Sequence, residues 1–107
     1  MELCRSVYRS TARMPDAEKF GLMSQMRRAA VSVPSNIAEG YGRQSTGEYV
    51  KFLRIARGSL AELSTQLELA VSMDMMAGNS SPSELLDETD RVLQGLIKSL
   101  ESKLEGR

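Results

Sequence analysis

A long apolar stripe with helical spacing is the feature that most restricts the fold of this chain. From residue 49 to residue 70, apolar side chains recur at alternating intervals of four and three residues. This is the a and d spacing of helices that pack side by side with a slight left-handed twist. A lone helix would leave such a stripe in water, so the pattern predicts a helix bundle. The stripe consists of Tyr49, Leu53, Ala56, Leu60, Leu63, Leu67 and Ala70.

Three further segments carry apolar stripes of the same kind and predict three more helices. In residues 2–14 the stripe is Leu3, Val7, Thr11 and Met14. In a second helix, which is expected to begin at Pro15, it is Met23, Met26, Ala30, Val33 and Ile37. In the last helix it is Leu86, Thr89, Leu93, Leu96 and Leu100. Because no segment sustains the alternation of a strand, we predict an all-α, up-and-down four-helix bundle that forms one domain over residues 1–107.

Proline, glycine and capping residues predict the ends of the second helix and the start of the third. Pro34 lies inside the second apolar stripe, which continues past it and so predicts a kinked helix. Gly40 and Gly42 are expected to close that helix in the left-handed conformation. Ser45 and Glu48 form a capping-box pattern at the start of the third helix.

Similar signals bound the third and fourth helices. The third helix is expected to end at Gly78 and Asn79. A second capping box, Ser81 with Glu84, and Pro82 at the first helical position predict the start of the fourth. Short turns are therefore expected to connect all four helices.

The residues that most enzyme and metal sites require are missing from this sequence. The chain has no histidine and one cysteine, which excludes the usual di-iron bundle sites, Ser-His and Cys-His nucleophile pairs, and most zinc sites. A phosphate-binding Gly-x-x-x-x-Gly-Lys loop is also absent. We therefore expect no catalytic residue, metal or cofactor. An enzyme built on this chain would need a pocket in which Glu39 or Glu62 has a strongly shifted pKa.

Hydropathy and cysteine usage indicate a location. No apolar run approaches the ~20 residues of a membrane span, and the first residues lack the apolar region of a signal peptide. Cys4 has no second cysteine with which to form an internal disulfide. We therefore expect a cytoplasmic protein that does not enter a membrane.

Charge is unevenly distributed along a chain whose net charge is zero. Residues 58–107 carry four cations and nine anions, a net charge of −5. Residues 27–57 carry six cations against two anions, a net charge of +4. Such cations can contact nucleic-acid phosphates without base specificity, although they also fit an ordinary solvated helix surface. The six candidate nucleic-acid-binding residues are Arg27, Arg28, Arg43, Lys51, Arg54 and Arg57.

Polar residues also recur at helical spacing beside the apolar stripes of the second and third helices. If the two polar stripes face each other, their side chains can form a hydrogen-bonded network that sets the helix register. There are two alternatives: each polar stripe is simply exposed to solvent beside the apolar stripe, or the two stripes form a ligand site. The residues predicted to form this structural polar network are Asn36, Glu39, Ser59, Glu62 and Gln66.

Several of these motifs resemble a known family. The motifs are Arg27–Ala30, Ser32–Gly40, Gly42–Arg43 and Gly58–Leu67. They resemble small bacterial four-helix-bundle proteins encoded in intervening sequences of large-subunit ribosomal RNA genes, to which the accessory variability determinant of diversity-generating retroelements is related. The resemblance implies a homopentameric barrel of bundles. It also implies a nucleic-acid-binding partner of a reverse transcriptase.

These observations lead to one functional hypothesis and one alternative. The hypothesis is a non-enzymatic oligomeric bundle that binds RNA or DNA phosphates through the six cations, as an accessory partner of a retroelement reverse transcriptase. The alternative is a protein–protein interaction scaffold with no nucleic-acid role, which docks through its acidic C-terminal half or through an apolar surface.

Overall fold

Four α-helices account for most of the chain in the computed structural model. The structure describes residues 2–18, 21–78 and 82–106. Within these ranges it contains no strand, so the predicted all-α four-helix fold is confirmed. The helices, with a short 3₁₀ turn at Asp16–Glu18 after the first, are α1 (Glu2–Thr11), α2 (Leu22–Gly42), α3 (Thr46–Ser72) and α4 (Ser83–Glu105).

The core forms where the apolar stripes of the four helices meet. The stripe of α1 is buried as predicted, including the hydroxyl residue Thr11. The stripe of α3 is buried from Leu53 to Ala70, while Tyr49 is half-buried and the adjacent Val50 is buried in its place. The most extensive packing joins α2 and α3, which run antiparallel because only three residues connect them. The molecule is accordingly a rod of 52 × 22 × 18 Å.

The second helix differs from the prediction at its start. It continues through Pro34 without interruption, in line with the unbroken apolar phase. It begins at Leu22 and not at Pro15, which instead precedes the 3₁₀ turn. The 3₁₀ turn occupies the place where the first turn of that helix was expected.

The end of α2 corrects the expected role of its two glycines. Neither Gly40 nor Gly42 has a positive φ, and the left-handed residue is Gln44, with φ of 59°. Gly40 is buried, and a Cβ atom there would lie 2.7 Å from the Cβ of Phe52. It is glycine because α3 approaches its backbone closely. The Ser45 half of the predicted capping box forms, since Ser45 Oγ accepts a hydrogen bond from a backbone N–H three residues later, at 3.3 Å.

The connection between α3 and α4 also differs from the expectation. Helix α3 ends at Ser72, earlier than predicted, and Asp74 then takes a left-handed conformation with φ of 58°. Pro82 is the residue before the first helical position of α4. The predicted Asn79 terminus and the Ser81 cap lie outside the described residues. None of the helices in the described part of the chain is long and apolar enough to span a membrane.

Candidate nucleic-acid interface

A short hydrogen-bonded network joins α2 to α3. The hydroxyl oxygens of Ser32 and Ser59 are 2.7 Å apart. The amide of Asn36 donates to the carbonyl oxygen of Ser32 at 2.8 Å and to its hydroxyl at 2.9 Å. Ser59 is buried, so this contact fixes which turn of α2 lies opposite which turn of α3.

The predicted five-residue network is therefore wrong in extent. Only Asn36 and Ser59 belong to it, and they are linked through Ser32, which the prediction left out despite its four-residue spacing from Asn36. Glu39 is exposed and accepts a hydrogen bond at 2.8 Å from Arg43, four residues later at the end of the same helix. It therefore makes no contact with α3 through this bond.

The other two predicted members face a shallow space between the helices. Glu62 is exposed and has no hydrogen-bond partner within the described residues, and Gln66 is half-buried. Both carboxylates, Glu39 and Glu62, stay outside the network because they reach toward water, where a charged group keeps its hydration.

The six predicted cations do not form one surface. Arg27 lies between α1 and α2, where its Nε donates to Thr11 Oγ1 at 2.8 Å and its terminal nitrogen to the Tyr8 carbonyl at 3.3 Å. Its guanidinium also lies 4.5 Å from the centre of the Tyr8 ring. Arg27 thus clamps α1 onto α2, with two of its guanidinium nitrogens bonded to α1.

Two further cations lie at the α3–α4 boundary. Arg57 donates to both carboxylate oxygens of Asp90, at 2.8 and 3.4 Å. This hydrogen bond lowers the pKa of Asp90 and raises that of Arg57. Arg54 pairs with Glu101. The acidic C-terminal half of the chain therefore neutralises part of the basic segment within the same molecule.

The remaining three cations lie along the exposed side of the α2–α3 pair. Arg28 lines a cleft between the two helices, and Lys51 lies on the side of α3 that carries Glu62, since eleven residues are close to three helical turns. Arg43 stacks 5.1 Å from the Phe52 ring while paired with Glu39. We call this surface, defined by Arg28, Arg43 and Lys51, the α2–α3 face.

The availability of these three cations differs. Arg28 and Lys51 are exposed and form no ion pair within the described residues. Arg43 is also exposed, and Glu39, its ionic partner among the described residues, is exposed as well. Three of the six predicted residues are thus exposed on this face, and within the described residues their ion pairing is limited to the exposed Arg43–Glu39 pair.

The remaining chemistry on the chain is limited. The thiol of Cys4 donates to the Ala30 carbonyl oxygen at 3.0 Å, and burial raises its pKa, so it stays protonated at neutral pH. Within the described residues, no group of histidine, cysteine or acidic side chains is arranged to hold a metal ion.

Comparison with known proteins identifies the family. A sequence model described as 23S rRNA-intervening sequence protein matches residues 1–98. This span includes α1, α2, α3 and the greater part of α4. A comparison with curated proteins found no match. The resemblance of the α2 and α3 motifs to proteins encoded in ribosomal RNA intervening sequences is confirmed, and the chain belongs to the 23S rRNA-intervening sequence protein family.

Proposed function

We propose that this protein is a non-enzymatic helical bundle that binds RNA through phosphate contacts along the α2–α3 face. The observation that carries the proposal is the grouping of Arg28, Arg43 and Lys51 on one exposed side of the bundle. The family description adds support, since it links these proteins to ribosomal RNA genes. DNA phosphates offer the same charge and are a comparison in the test.

The cations of this face can exchange a carboxylate partner for a phosphate at a small cost in free energy. An exposed ion pair such as Arg43–Glu39 contributes only ~0–1 kcal/mol, so a phosphate can replace the carboxylate at small cost. Arg28 and Lys51 have no ion pair to break within the described residues.

The spacing of the face suits an extended strand. With Ser32 opposite Ser59, Arg28 lies level with residue 63 of α3, twelve residues from Lys51. At 1.5 Å per residue the two cations are roughly 18 Å apart along the bundle. A nucleic-acid backbone of several nucleotides can therefore contact both.

Salt dependence gives the direct test. We expect a fluorescently labelled single-stranded RNA of 20 nucleotides to bind with log K falling against log salt with a slope of about −2, as three phosphate contacts require. Alanine at Arg28, Arg43 or Lys51 should each reduce the slope by about 0.7. Arg91→Ala and Lys98→Ala remove exposed cations of α4 and are the matched controls. Absent or salt-insensitive binding by the folded protein would overturn the proposal.

Three finer proposals come from the family resemblance and from composition. A homopentamer would repeat the α2–α3 face around an axis and raise affinity through multiple contacts, and light scattering after gel filtration measures its mass. Partnership with a retroelement reverse transcriptase is tested by co-purification of the two proteins. The single cysteine supports a cytoplasmic location.

The alternative of a protein-interaction scaffold loses part of its basis. One of its two candidate docking surfaces was the acidic C-terminal half, but Asp90 and Glu101 of that half pair with Arg57 and Arg54. Capture of a specific protein by a variant that has lost RNA affinity would favour this alternative.

A further inference from the structure

We propose that the α2–α3 cleft binds an unpaired guanine base of single-stranded RNA. This inference rests on the proposed function, because it names the base that the same side of the bundle recognises in an RNA whose phosphates it binds. The cleft has a volume of about 290 Å³. It is lined by Gln25, Arg28, Ala29, Ser32, Ser59, Glu62 and Gln66.

The register of the two helices arranges these side chains in pairs. The 2.7 Å contact between Ser32 and Ser59 sets the first level. Arg28 lies four residues before Ser32, and Glu62 lies three residues after Ser59, so these two share a second level about 5 Å away. Gln25 and Gln66, each seven residues from its serine, form a third. Within the described part of the chain, the serine pair alone among these three is joined by a hydrogen bond.

The other two pairs contain polar groups that have no ion pair or hydrogen bond within the described residues. Arg28 and Glu62 have opposite charges and line the same cleft, yet they form no ion pair within the described residues. Gln66 Oε1 is buried and accepts no hydrogen bond within the described part of the chain. Most buried polar atoms in proteins have a partner, so this unpaired acceptor points to a donor that binds from outside.

The two walls of the cleft differ in hydrogen-bonding character. On the α3 wall the acceptors are the exposed Glu62 carboxylate and the buried Gln66 Oε1. On the α2 wall the Arg28 guanidinium is the donor, and its five N–H groups allow one edge to face a base while another contacts a phosphate. A ligand must therefore offer adjacent donors on one edge and acceptors on another. The exposed Gln25 amide can serve either edge.

Guanine is the base that meets this requirement. Its N1–H and N2–H₂ groups can donate side by side to a carboxylate, and its O6 and N7 atoms can accept from a guanidinium. Adenine, cytosine and uracil each lack the paired donors that a carboxylate can hold with both oxygens. The base must be unpaired, since its Watson–Crick edge is used.

Three ten-nucleotide RNAs test the assignment by fluorescence anisotropy. They are all-uridine RNA, the same strand with one central guanosine, and that strand with inosine, which lacks the N2 amino group. We expect the guanosine strand to bind about tenfold more tightly than the all-uridine strand, and inosine to lose most of that gain. Equal affinity for all three overturns the guanine proposal and leaves RNA binding intact. No binding of any strand overturns the proposed function itself.

Two variants locate the recognition. Glu62→Gln and Gln66→Met should each reduce the ratio of guanosine to uridine affinity to near one, with thermal melting as the check on folding. Glu88→Gln, which removes an exposed carboxylate of α4, should keep the ratio. A preference that survives both cleft variants would place the reading site elsewhere. Guanosine monophosphate that binds as tightly as the guanosine strand would instead identify a free nucleotide as the ligand.

Discussion

Arg57 of α3 and Asp90 of α4 form a two-point ion pair, with the guanidinium Nε 2.8 Å from Oδ1 and a terminal nitrogen 3.4 Å from Oδ2. Asp90 also accepts a hydrogen bond from Gln94 at 2.7 Å. The pair joins the basic segment of the chain to its acidic half. Charge that is separated along the sequence is thus partly neutralised in three dimensions.

The Arg57–Asp90 pair should make stability depend on pH. Because the hydrogen bond from Arg57 lowers the pKa of Asp90, its contribution is complete above the unfolded pKa of about 3.9. It is lost as the pH falls through the lower folded value. We expect Asp90→Asn to cost about 1 kcal/mol in the free energy of unfolding at pH 7, since the pair is partly exposed.

Urea denaturation at a series of pH values measures this effect. The difference between the native protein and Asp90→Asn should shrink as the pH falls below about 4, through the lowered pKa of Asp90. Asp87→Asn, which changes an exposed carboxylate on the same helix, is the matched control and should have little effect at any pH. A pH-independent difference for Asp90→Asn would contradict the role given to the pair.

The acids of α4 should also limit RNA affinity. The double variant Asp90→Asn with Glu101→Gln frees Arg57 and Arg54. If the α3–α4 side then contacts phosphates, binding should tighten and the salt slope should steepen by up to about 1.4, or about 0.7 for each cation. Anisotropy titrations in increasing salt measure both. An unchanged slope would show that these two arginines do not reach RNA.

Adjacent arginines of α2 should have opposite phenotypes. Arg27→Ala removes the clamp on Tyr8 and Thr11, so we expect a loss of about 1–3 kcal/mol in stability with little change in RNA affinity. Arg28→Ala should weaken RNA binding and leave stability nearly unchanged, because Arg28 is exposed and unpaired within the described residues. Thermal melting and fluorescence anisotropy on both variants provide the comparison. A loss of RNA affinity in a folded Arg27→Ala variant would show that Arg27 contacts RNA after all.

A methyl group at Gly40 should disturb the α2–α3 contact. The new Cβ would meet the Cβ of Phe52 at 2.7 Å, an atom held by the backbone of α3. We expect Gly40→Ala to destabilise the protein by about 1–3 kcal/mol through overpacking. Gly95→Ala is the control: among the described residues, a Cβ there would meet no atom within 4 Å apart from its chain neighbours and the backbone of its own helix. The better helix propensity of alanine should therefore add up to about 1 kcal/mol. Equal melting temperatures for the two variants would refute the close approach.

The apolar stripes could be predicted well because they depend on local geometry. The stripe from Leu53 to Ala70 is buried as its spacing indicates, and Ser45 caps α3 as its position predicts. The helix ends were harder, since Gly40 has two possible uses, a left-handed turn and a close helix contact. Local sequence does not distinguish these uses, and only the position of Phe52 does.

In the candidate site, the difference between what local sequence predicts and what tertiary packing decides is clearer still. The sequence by itself determined four amphipathic helices, their buried sides and the number of cations, because helical periodicity places each residue on one side of its own helix. Only the tertiary structure decided that Arg27, Arg54 and Arg57 are engaged internally while Arg28 and Lys51 are exposed without ion pairs among the described residues. The reason is physical: whether a cation is available depends on which side chain of a neighbouring helix lies within hydrogen-bonding distance. That distance is set by packing between segments far apart in sequence.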